Sequence, residues 1–191
     1  MSQGKFITLE GGEGAGKSTQ AALLRDRLQA AKLRVVMTRE PGGSPRAETI
    51  RGILLSGQAK RFGPLAETVL FYVARDSHLE LTVRPALARG AWVVCDRFFD
   101  STRAYQGAAG GVSLAALDAF ERAKARAEMA KDGAPDRFES MEIAFHNNLR
   151  QEFLDIAAVE PKRCALVDAA RSIDAISADI WAVVKQRLNA V

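Results

Sequence analysis

Cysteine and histidine are scarce in this chain of 191 residues, which contains two of each. Cys95 and Cys164 both lie inside apolar runs, where small buried thiols are common, so we expect free thiols in a reducing compartment rather than a disulfide. His78 and His146 belong to no motif, and we expect each to be a core or surface residue rather than a catalyst. No group of residues has the spacing of a metal-ligand cluster.

Long apolar stretches are also absent. The first residues lack the apolar core of a signal peptide. No window reaches the run of about 18 apolar residues that a membrane span needs. We therefore expect a cytoplasmic protein that has no membrane partner.

Runs of one charge sign are missing as well. The chain has 27 Lys and Arg against 23 Asp and Glu, a net charge of +4, and its arginines are spread along the sequence. Nucleic acids and small phosphorylated ligands both require such charges, and scattered arginines favour a ligand pocket over a nucleic-acid surface. The length and an ordinary hydrophobic fraction of 48% predict a single domain over residues 1–191.

Strand and helix patterns alternate along the chain. Four short apolar runs rich in β-branched residues predict buried strands at 5–11, 34–40, 91–98 and 163–169. Helical patterns are found at Ser18–Lys32, Pro64–Arg89, Leu114–Lys131, Arg137–Ala158 and Ile173–Leu188. This alternation predicts an α/β protein with a parallel sheet flanked by helices in three layers, and ligands at the carboxyl ends of the strands.

The sequence GGEGAGKS, residues 11–18, matches the phosphate-binding pattern G-x-x-x-x-G-K-[ST] between a predicted strand and a predicted helix. Its glycines let backbone N–H groups converge on phosphates, and the helix N-terminus adds its dipole. Lys17 would reach the β- and γ-phosphates, and the Ser18 hydroxyl would bind Mg²⁺. The predicted ATP-binding residues are Gly11, Gly12, Glu13, Gly14, Ala15, Gly16, Lys17, Ser18 and Thr19.

Two classes of proteins with such a loop are disfavoured. No [NT]-K-x-D sequence is present to read guanine, which argues against a GTPase. The sequence LLSGQ, residues 54–58, lacks one glycine of the ABC-ATPase signature, and we interpret it as a helix end closed by Gly57. Asp96 ends the third predicted strand, as a carboxylate beside a metal would, although Asp also ends strands for turn-forming reasons. A surface role is the alternative for the adjacent Arg97.

Arginines follow the predicted strands at the edge where the phosphate loop lies, which makes sense if a second phosphorylated molecule is the acceptor. A phosphomonoester is already an anionic nucleophile at neutral pH and needs no general base. The task of such an enzyme is to hold two anions together while the phosphoryl group passes in line.

The sequences FITLEGGEGAGKSTQ, TREPGGSPRAETIR, AETVLFYVARDSH, PALARGAWVVCDRFFDSTRAYQG and DRFE resemble, in this order, successive motifs of bacterial thymidylate kinases. The resemblance implies a nucleoside-monophosphate-kinase fold and transfer of the γ-phosphoryl group of ATP to dTMP, giving dTDP and ADP, with Mg²⁺. It also implies a homodimer through the helix Pro64–Arg89. A kinase for another nucleoside monophosphate and a non-catalytic nucleotide-binding protein are the alternatives.

The resemblance also assigns site residues. The acceptor-binding set is Glu13, Arg39, Glu40, Pro41, Phe71, Arg75, Arg97, Ser101, Thr102, Tyr105 and Gln106. The catalytic set is Lys17, Asp96, Arg97, Arg122, Arg126 and Arg137. Ser18 and Asp96 are assigned to binding Mg²⁺, partly through water. Phe71 and Arg75, four apart on one helix face, present a ring for stacking and a guanidinium for a base carbonyl. A plain core residue is the alternative for Phe71.

Gly14 occupies a position where some family members carry a catalytic arginine. Members with glycine there supply this charge from a lid, here a segment at about 121–140 that contains Arg122, Arg126 and Arg137. A solvated charged helix is the alternative for any one of these arginines. Glu13 is expected to face the 3′-hydroxyl of the acceptor, and Tyr105 to crowd the 2′ position of its sugar.

The sequence departs from the family pattern near Phe120. No apolar β run occurs from Gly110 to Lys162, so about 30 residues, one core strand with its connections, are absent relative to the family. That strand should lie beside the strand that precedes the phosphate loop. Either the strand is lost, which would leave an open edge on its neighbour, or another segment of the chain fills the gap.

Overall fold

The computed structural model describes residues 4–108 and 143–190. Its strands are β1 (Phe6–Leu9), β2 (Val35–Arg39) and β3 (Trp92–Asp96). Its helices are α1 (Lys17–Ala30), α2 (Pro45–Leu55), α3 (Gly63–His78), α4 (Arg84–Ala88), α5 (Phe99–Thr102), α6 (Ile143–Val159) and α7 (Ile173–Leu188). A 3₁₀ helix at Gln58–Phe62 and π-helical turns at Leu79–Val83 and Arg103–Ala108 complete the described elements.

The three strands form a parallel sheet in the order β1-β3-β2. Phe6 lies opposite Val93 in one pair, and Val36 lies opposite the same residue in the other. The central strand β3 is almost fully buried, as its near-continuous apolar sequence predicts for a parallel strand covered on both faces. The three predicted strands at 5–11, 34–40 and 91–98 are therefore confirmed.

Helices cover both faces of the sheet. Successive side chains of β3 point to opposite faces, so neighbouring residues of this strand pack against different helices. Val94 packs with Leu24 and Leu28 of α1 and with the apolar side of α7. Val93 packs on the other face with Val83 and Ala86. The result is the predicted three-layer α/β/α arrangement. No helix within the described ranges has both the length and the apolar character needed to traverse a bilayer.

The predicted strand at 163–169 is wrong. This segment is not part of the sheet, and Leu166 is 65% exposed. A turn holds its start, because the N–H groups of Arg163 and Cys164 donate to the carbonyl of Glu160. The Arg163 guanidinium also binds both carboxylate oxygens of the buried Asp100. A strand is stable only when it pairs with a neighbour. Among the described residues β1 pairs with β3 alone, so no strand lies beside the other edge of β1 to connect segment 163–169 to the sheet.

The helices agree with the prediction in most places. The helix predicted at Ile173–Leu188 has those bounds in the structure, and Gly57 adopts a left-handed φ of 70° just beyond the end of α2. The pattern at Pro64–Arg89 forms α3 and α4, with a π-helical turn between them. The helix predicted at Leu114–Lys131 lies outside the described residues. So does the start of the one predicted at Arg137–Ala158, which the structure describes from Ile143.

Candidate active site

The loop between β1 and α1 has the backbone that its glycines allow. Gly11, Gly14 and Gly16 have φ values of 142°, 70° and 76°, a region that side chains disfavour, and α1 begins at Lys17. The Lys17 ammonium donates to the Gly12 carbonyl at 2.6 Å, which folds the side chain over the loop. Burial, followed by the charge of Arg97, lowers the pKa of Lys17. The loop and the helix N-terminus together suit a phosphate chain.

Two oxygen groups lie together beside this loop. The Ser18 hydroxyl donates to the Asp96 carboxylate. The two residues lie close together because Asp96 is opposite Leu9, the last residue of β1, from which the phosphate loop leads to α1. Residues 4–108 and 143–190 contain no group of three or more His, Cys, Asp or Glu side chains suited to a metal. Two hard oxygen ligands fit Mg²⁺, which keeps several waters and takes its other ligands from phosphates.

Arg97 links the phosphate loop to the π-helical turn at Arg103–Ala108. Its guanidinium donates to the Gly11 carbonyl at 2.9 Å, to the Glu13 carboxylate at 2.7 Å and to the Tyr105 hydroxyl at 2.9 Å. The Tyr105 hydroxyl donates in turn to the same Glu13 oxygen at 3.0 Å. Burial raises the pKa of Tyr105, so this phenol stays neutral. Glu13 therefore faces Arg97 and Tyr105, with its charge balanced by the guanidinium.

A second group of polar side chains surrounds the loop after β2. Arg75, only 3% exposed, donates from Nε to Glu40 at 2.7 Å and from Nη2 to Thr102 at 2.7 Å. Its guanidinium lies over the ring of Phe98, 5.1 Å from the centroid. Arg39 binds both oxygens of the exposed Glu48 at 3.1 Å. An arginine held in this way can direct N–H groups at a planar ligand.

These two regions face one cavity of about 220 Å³. It is lined by Glu13, Lys17, Ser18, Arg39, Glu40, Pro41, Arg51, Phe71, Arg75, Asp96, Arg97, Phe98, Ser101, Thr102, Tyr105 and Gln106. Every residue of the predicted acceptor-binding set is among them. Phe71 also packs against the core cluster of α2 and α3, so it belongs to both the pocket and the core.

Other predicted residues are placed differently. Gly11, Gly12, Gly14, Ala15, Gly16 and Thr19 are not part of the cavity lining, although they form the loop and the start of α1 beside it. The predicted lid arginines, Arg122, Arg126 and Arg137, lie outside the described residues.

Sequence reasoning missed Arg51 and Phe98 as lining residues. Arg51 lies on α2 and donates to the Pro41 carbonyl at 2.9 Å. The sequence could have indicated Arg51, because it is the last residue of the motif TREPGGSPRAETIR, which also contains Arg39. Phe98 gives no signal beyond its position after Arg97.

The fold and this cavity are those of a P-loop phosphotransferase, the class that includes the nucleoside monophosphate kinases. Residues 9–119, more than half of the chain, match the family model for thymidylate kinase. The chain belongs to the thymidylate kinase family.

Individual relatives agree with this assignment. The chain is 48% identical to thymidylate kinase of Nitrobacter hamburgensis over 207 residues, covering 97% of this chain and 90% of that protein. It is 50% identical to thymidylate kinase of Bradyrhizobium sp. (strain ORS 278), covering 97% and 92%. The crystal structure of thymidylate kinase from Ehrlichia chaffeensis superposes with a TM-score of 0.78 at 31% identity, covering 95% and 99%. The predicted family and fold class are confirmed.

The alignments also bear on the expected shortening of the chain. The alignment with the Nitrobacter protein spans 207 positions, whereas 97% of 191 residues is about 185, so about 22 positions have no residue in this chain. The chain is therefore shorter than this relative within the alignment, by fewer positions than the roughly 30 expected from the motifs. The family-model match ends at residue 119, beside the position at which the motifs place the gap.

Proposed function

We propose that this protein transfers the γ-phosphoryl group of ATP to dTMP, giving dTDP and ADP. The observation that carries the proposal is that one continuous cavity joins the phosphate loop to the pocket around Arg39 and Arg75. Family membership supplies the identity of the two substrates.

The donor nucleotide would bind at the glycine-rich loop. The backbone of residues 11–19 holds the phosphates, and Lys17 contacts the β- and γ-phosphates from its position over Gly12. Ser18 and Asp96 would hold Mg²⁺, partly through water, because their oxygens already lie together. The metal ion, when bound, neutralises charge on the phosphate oxygens.

The acceptor nucleotide would bind on the other side of the cavity. Phe71 stacks on the base, and Arg75 donates to a base carbonyl from its position between Glu40 and Thr102. Glu13 and Tyr105 face the sugar, and Arg39 binds the 5′-phosphate after leaving Glu48. The remaining acceptor contacts are assigned to Pro41, Ser101 and Gln106, which line the same cavity.

Phosphoryl transfer in this site needs positioning and charge neutralisation rather than a general base. The acceptor phosphate is anionic at neutral pH and attacks in line. Arg97 lies between the two halves of the cavity, where its guanidinium offsets the charge of both substrates. Further positive charge is assigned to the lid arginines of the sequence prediction, on about residues 121–140. We propose one domain over residues 1–191, a homodimer and a cytoplasmic location.

A coupled assay for ADP release tests the proposal. The purified chain with Mg²⁺ and ATP should release ADP only when dTMP is added, and dTMP should exceed other nucleoside monophosphates as acceptor. A chain that binds ATP in calorimetry but shows no transfer would be a non-catalytic binding protein. A stronger response to another monophosphate would replace dTMP as the substrate.

Lys17→Ala should lower turnover by about a hundredfold or more, because it removes the positive charge beside the transferred phosphoryl group. Its circular dichroism and melting temperature should match those of the wild type. Lys185→Ala removes an exposed lysine on α7 and serves as the control. Near-normal turnover by Lys17→Ala would reject the assigned role.

A further inference from the structure

His78 is fully buried at the end of α3, and both nitrogens of its ring are engaged. Nδ1 lies 2.9 Å from Glu40 Oε1, and Nε2 lies 2.7 Å from the Thr38 hydroxyl. The ring also packs against the backbone of Gly43, where a Cβ atom would come within 2.6 Å of it. A buried imidazole with two specific partners has a fixed orientation.

The partner on the Nδ1 side is a carboxylate whose two oxygens have different partners. Glu40 Oε1 faces His78, and Oε2 accepts from Arg75 Nε at 2.7 Å. Burial raises the pKa of Glu40, but the charge of Arg75 and the hydrogen bond from His78 outweigh this effect, and the pKa lies below its ordinary value. Glu40 is therefore ionised and can only accept hydrogen bonds.

This chemistry fixes the protonation of one ring nitrogen. Since an ionised Glu40 can only accept, Nδ1 of His78 must carry a proton. In the neutral ring, Nε2 then accepts from the Thr38 hydroxyl; in the imidazolium form, it donates to that hydroxyl. Both forms keep the Nδ1–H directed at Glu40.

We propose that His78 is a positioning residue of the acceptor site, which holds Glu40 in place and thereby aims the Arg75 guanidinium at the pyrimidine base. The proposal rests on the function proposed above. Arg75 is held at Nε by Glu40 and at Nη2 by Thr102. If Glu40 rotates, the guanidinium loses the hydrogen bond at Nε that fixes its plane relative to the ligand.

Two other contacts join the same helical region to the same loop without touching Glu40. The Thr82 hydroxyl donates to the Gly43 carbonyl at 2.6 Å, and the Ser77 and Ser44 hydroxyls lie 3.0 Å apart. Removing either contact takes away one hydrogen bond between this helical region and the loop but leaves the connection from His78 to Arg75 intact. Thr82→Val is therefore a matched control for a purely structural role.

Two amide substitutions test the contributions of the two ring nitrogens separately. In His78→Asn the side-chain amide takes the place of Nδ1, and in His78→Gln it takes the place of Nε2. Calorimetry measures binding of dTMP and of ATP, and the coupled assay compares dTMP with dCMP, which has an amino group where thymine has a carbonyl. We expect His78→Gln to weaken dTMP binding roughly tenfold, to leave ATP binding unchanged and to reduce discrimination against dCMP.

His78→Asn should retain dTMP affinity within about twofold, because its amide still donates to Glu40. Thr82→Val should lower the melting temperature without changing dTMP affinity. Equal losses for His78→Asn and His78→Gln would overturn the proposal, and so would a loss in Thr82→Val equal to that in His78→Gln. If the buried His78 variants fail to fold, Thr38→Val decides, since it removes only the Nε2 partner. Thr38→Val should keep dTMP affinity within about twofold, as His78→Asn does, because the hydrogen bond from Nδ1 to Glu40 is kept, and a loss as large as that expected for His78→Gln would reject the proposal.

The two proposals fail in distinguishable ways. A wild-type chain that neither binds nor phosphorylates dTMP refutes the proposed function. A wild-type chain that does both, combined with an unaltered dTMP affinity in His78→Gln, refutes only the role of His78.

Discussion

At the scale of single residues, Glu13 raises the question of why a carboxylate lies in a phosphate-binding loop. The structure answers it by geometry, because Glu13 receives hydrogen bonds from Arg97 and Tyr105. The backbone N–H groups and Lys17 remain available for phosphates. A carboxylate placed in this way is a strong acceptor for a sugar hydroxyl on the acceptor side of the cavity.

Glu13→Gln should raise KM for dTMP roughly tenfold and leave KM for ATP within about twofold, since it weakens a charged hydrogen bond to the acceptor. Steady-state kinetics with each substrate varied in turn provide the measurement. Glu80→Gln makes the same change at an exposed site and should have no effect. Equal increases in both KM values would show that Glu13 serves the loop as a whole.

Glu10, directly after β1, is a second carboxylate, and its surroundings favour the neutral form. Its Oε2 accepts from Ser101 at 2.6 Å, and its Oε1 is buried without a hydrogen-bond partner among the described residues. Burial raises its pKa to about 6, and the hydrogen bond from Ser101 opposes the increase. Because the pKa in the folded state exceeds the ordinary value, the protonated form is favoured on folding.

The resulting stability is present below about pH 4.5 and is lost as the pH rises through 6. Glu10→Gln, which is neutral at every pH, should therefore be more stable than the wild type at pH 8 by about 1–2 kcal/mol. The difference should shrink at pH 5. Urea unfolding at both pH values measures it, with Glu80→Gln as the control. A difference of the same size at pH 5 and pH 8 would contradict the assignment to proton binding.

At the scale of elements, the segment 163–169 shows what a strand pattern can and cannot establish. Its apolar sequence suits a strand, yet Leu166 is exposed and the segment stays outside the sheet. The sheet order β1-β3-β2 leaves it without a neighbour among the described residues. Apolar patterning is local, whereas pairing depends on a partner elsewhere in the chain.

Leu166→Ala should change the free energy of unfolding by less than about 0.5 kcal/mol, because the side chain is exposed. The same substitution at Leu28, which is fully buried on α1, should cost about 2–5 kcal/mol. Chemical denaturation of the two variants gives the comparison. A large cost at Leu166 would mean that this segment is packed as a core strand in solution.

Sequence reasoning succeeded where a local signal was enough, as at the phosphate loop, and failed at 163–169, where a pairing partner was also needed. The phosphate loop, the three strands and the bounds of α7 follow from glycine spacing, β-branched runs and helical periodicity. The role of His78 was not predictable, because its partner Glu40 is 38 residues away and the pairing depends on how α3 meets the loop after β2. The π-helical turns were equally hidden, since a change in helical hydrogen bonding leaves the apolar pattern almost unchanged.

At the scale of the whole molecule, α3 and the residue directly before it present apolar side chains to solvent. Phe62 is 65% exposed, Leu65 53% and Val69 36%, and Leu65 and Val69 lie one turn apart on the helix. A group of exposed apolar side chains of this kind is typical of an interface. It supports the homodimer proposed through this helix.

Leu65→Glu should shift the chain from dimer to monomer, because it places a charge within an apolar interface. Light scattering after size-exclusion chromatography gives the mass at several concentrations. Leu166→Glu, at another exposed leucine outside α3, should leave the mass unchanged. A wild-type chain that is monomeric at every concentration would contradict the proposed homodimer.

The π-helical turn at Leu79–Val83 has a consequence for comparing this chain with its relatives. Such a turn holds one residue more than the α-helix around it, which amounts to an insertion accommodated without a loop. Against a relative with an uninterrupted α-helix, an alignment without a gap there shifts every later residue by one position, which is about 100° around the helix axis. Ala86, which faces the sheet, would then be matched to solvent-facing positions in other sequences. Alignments through this helix therefore need to be anchored separately on each side of the turn.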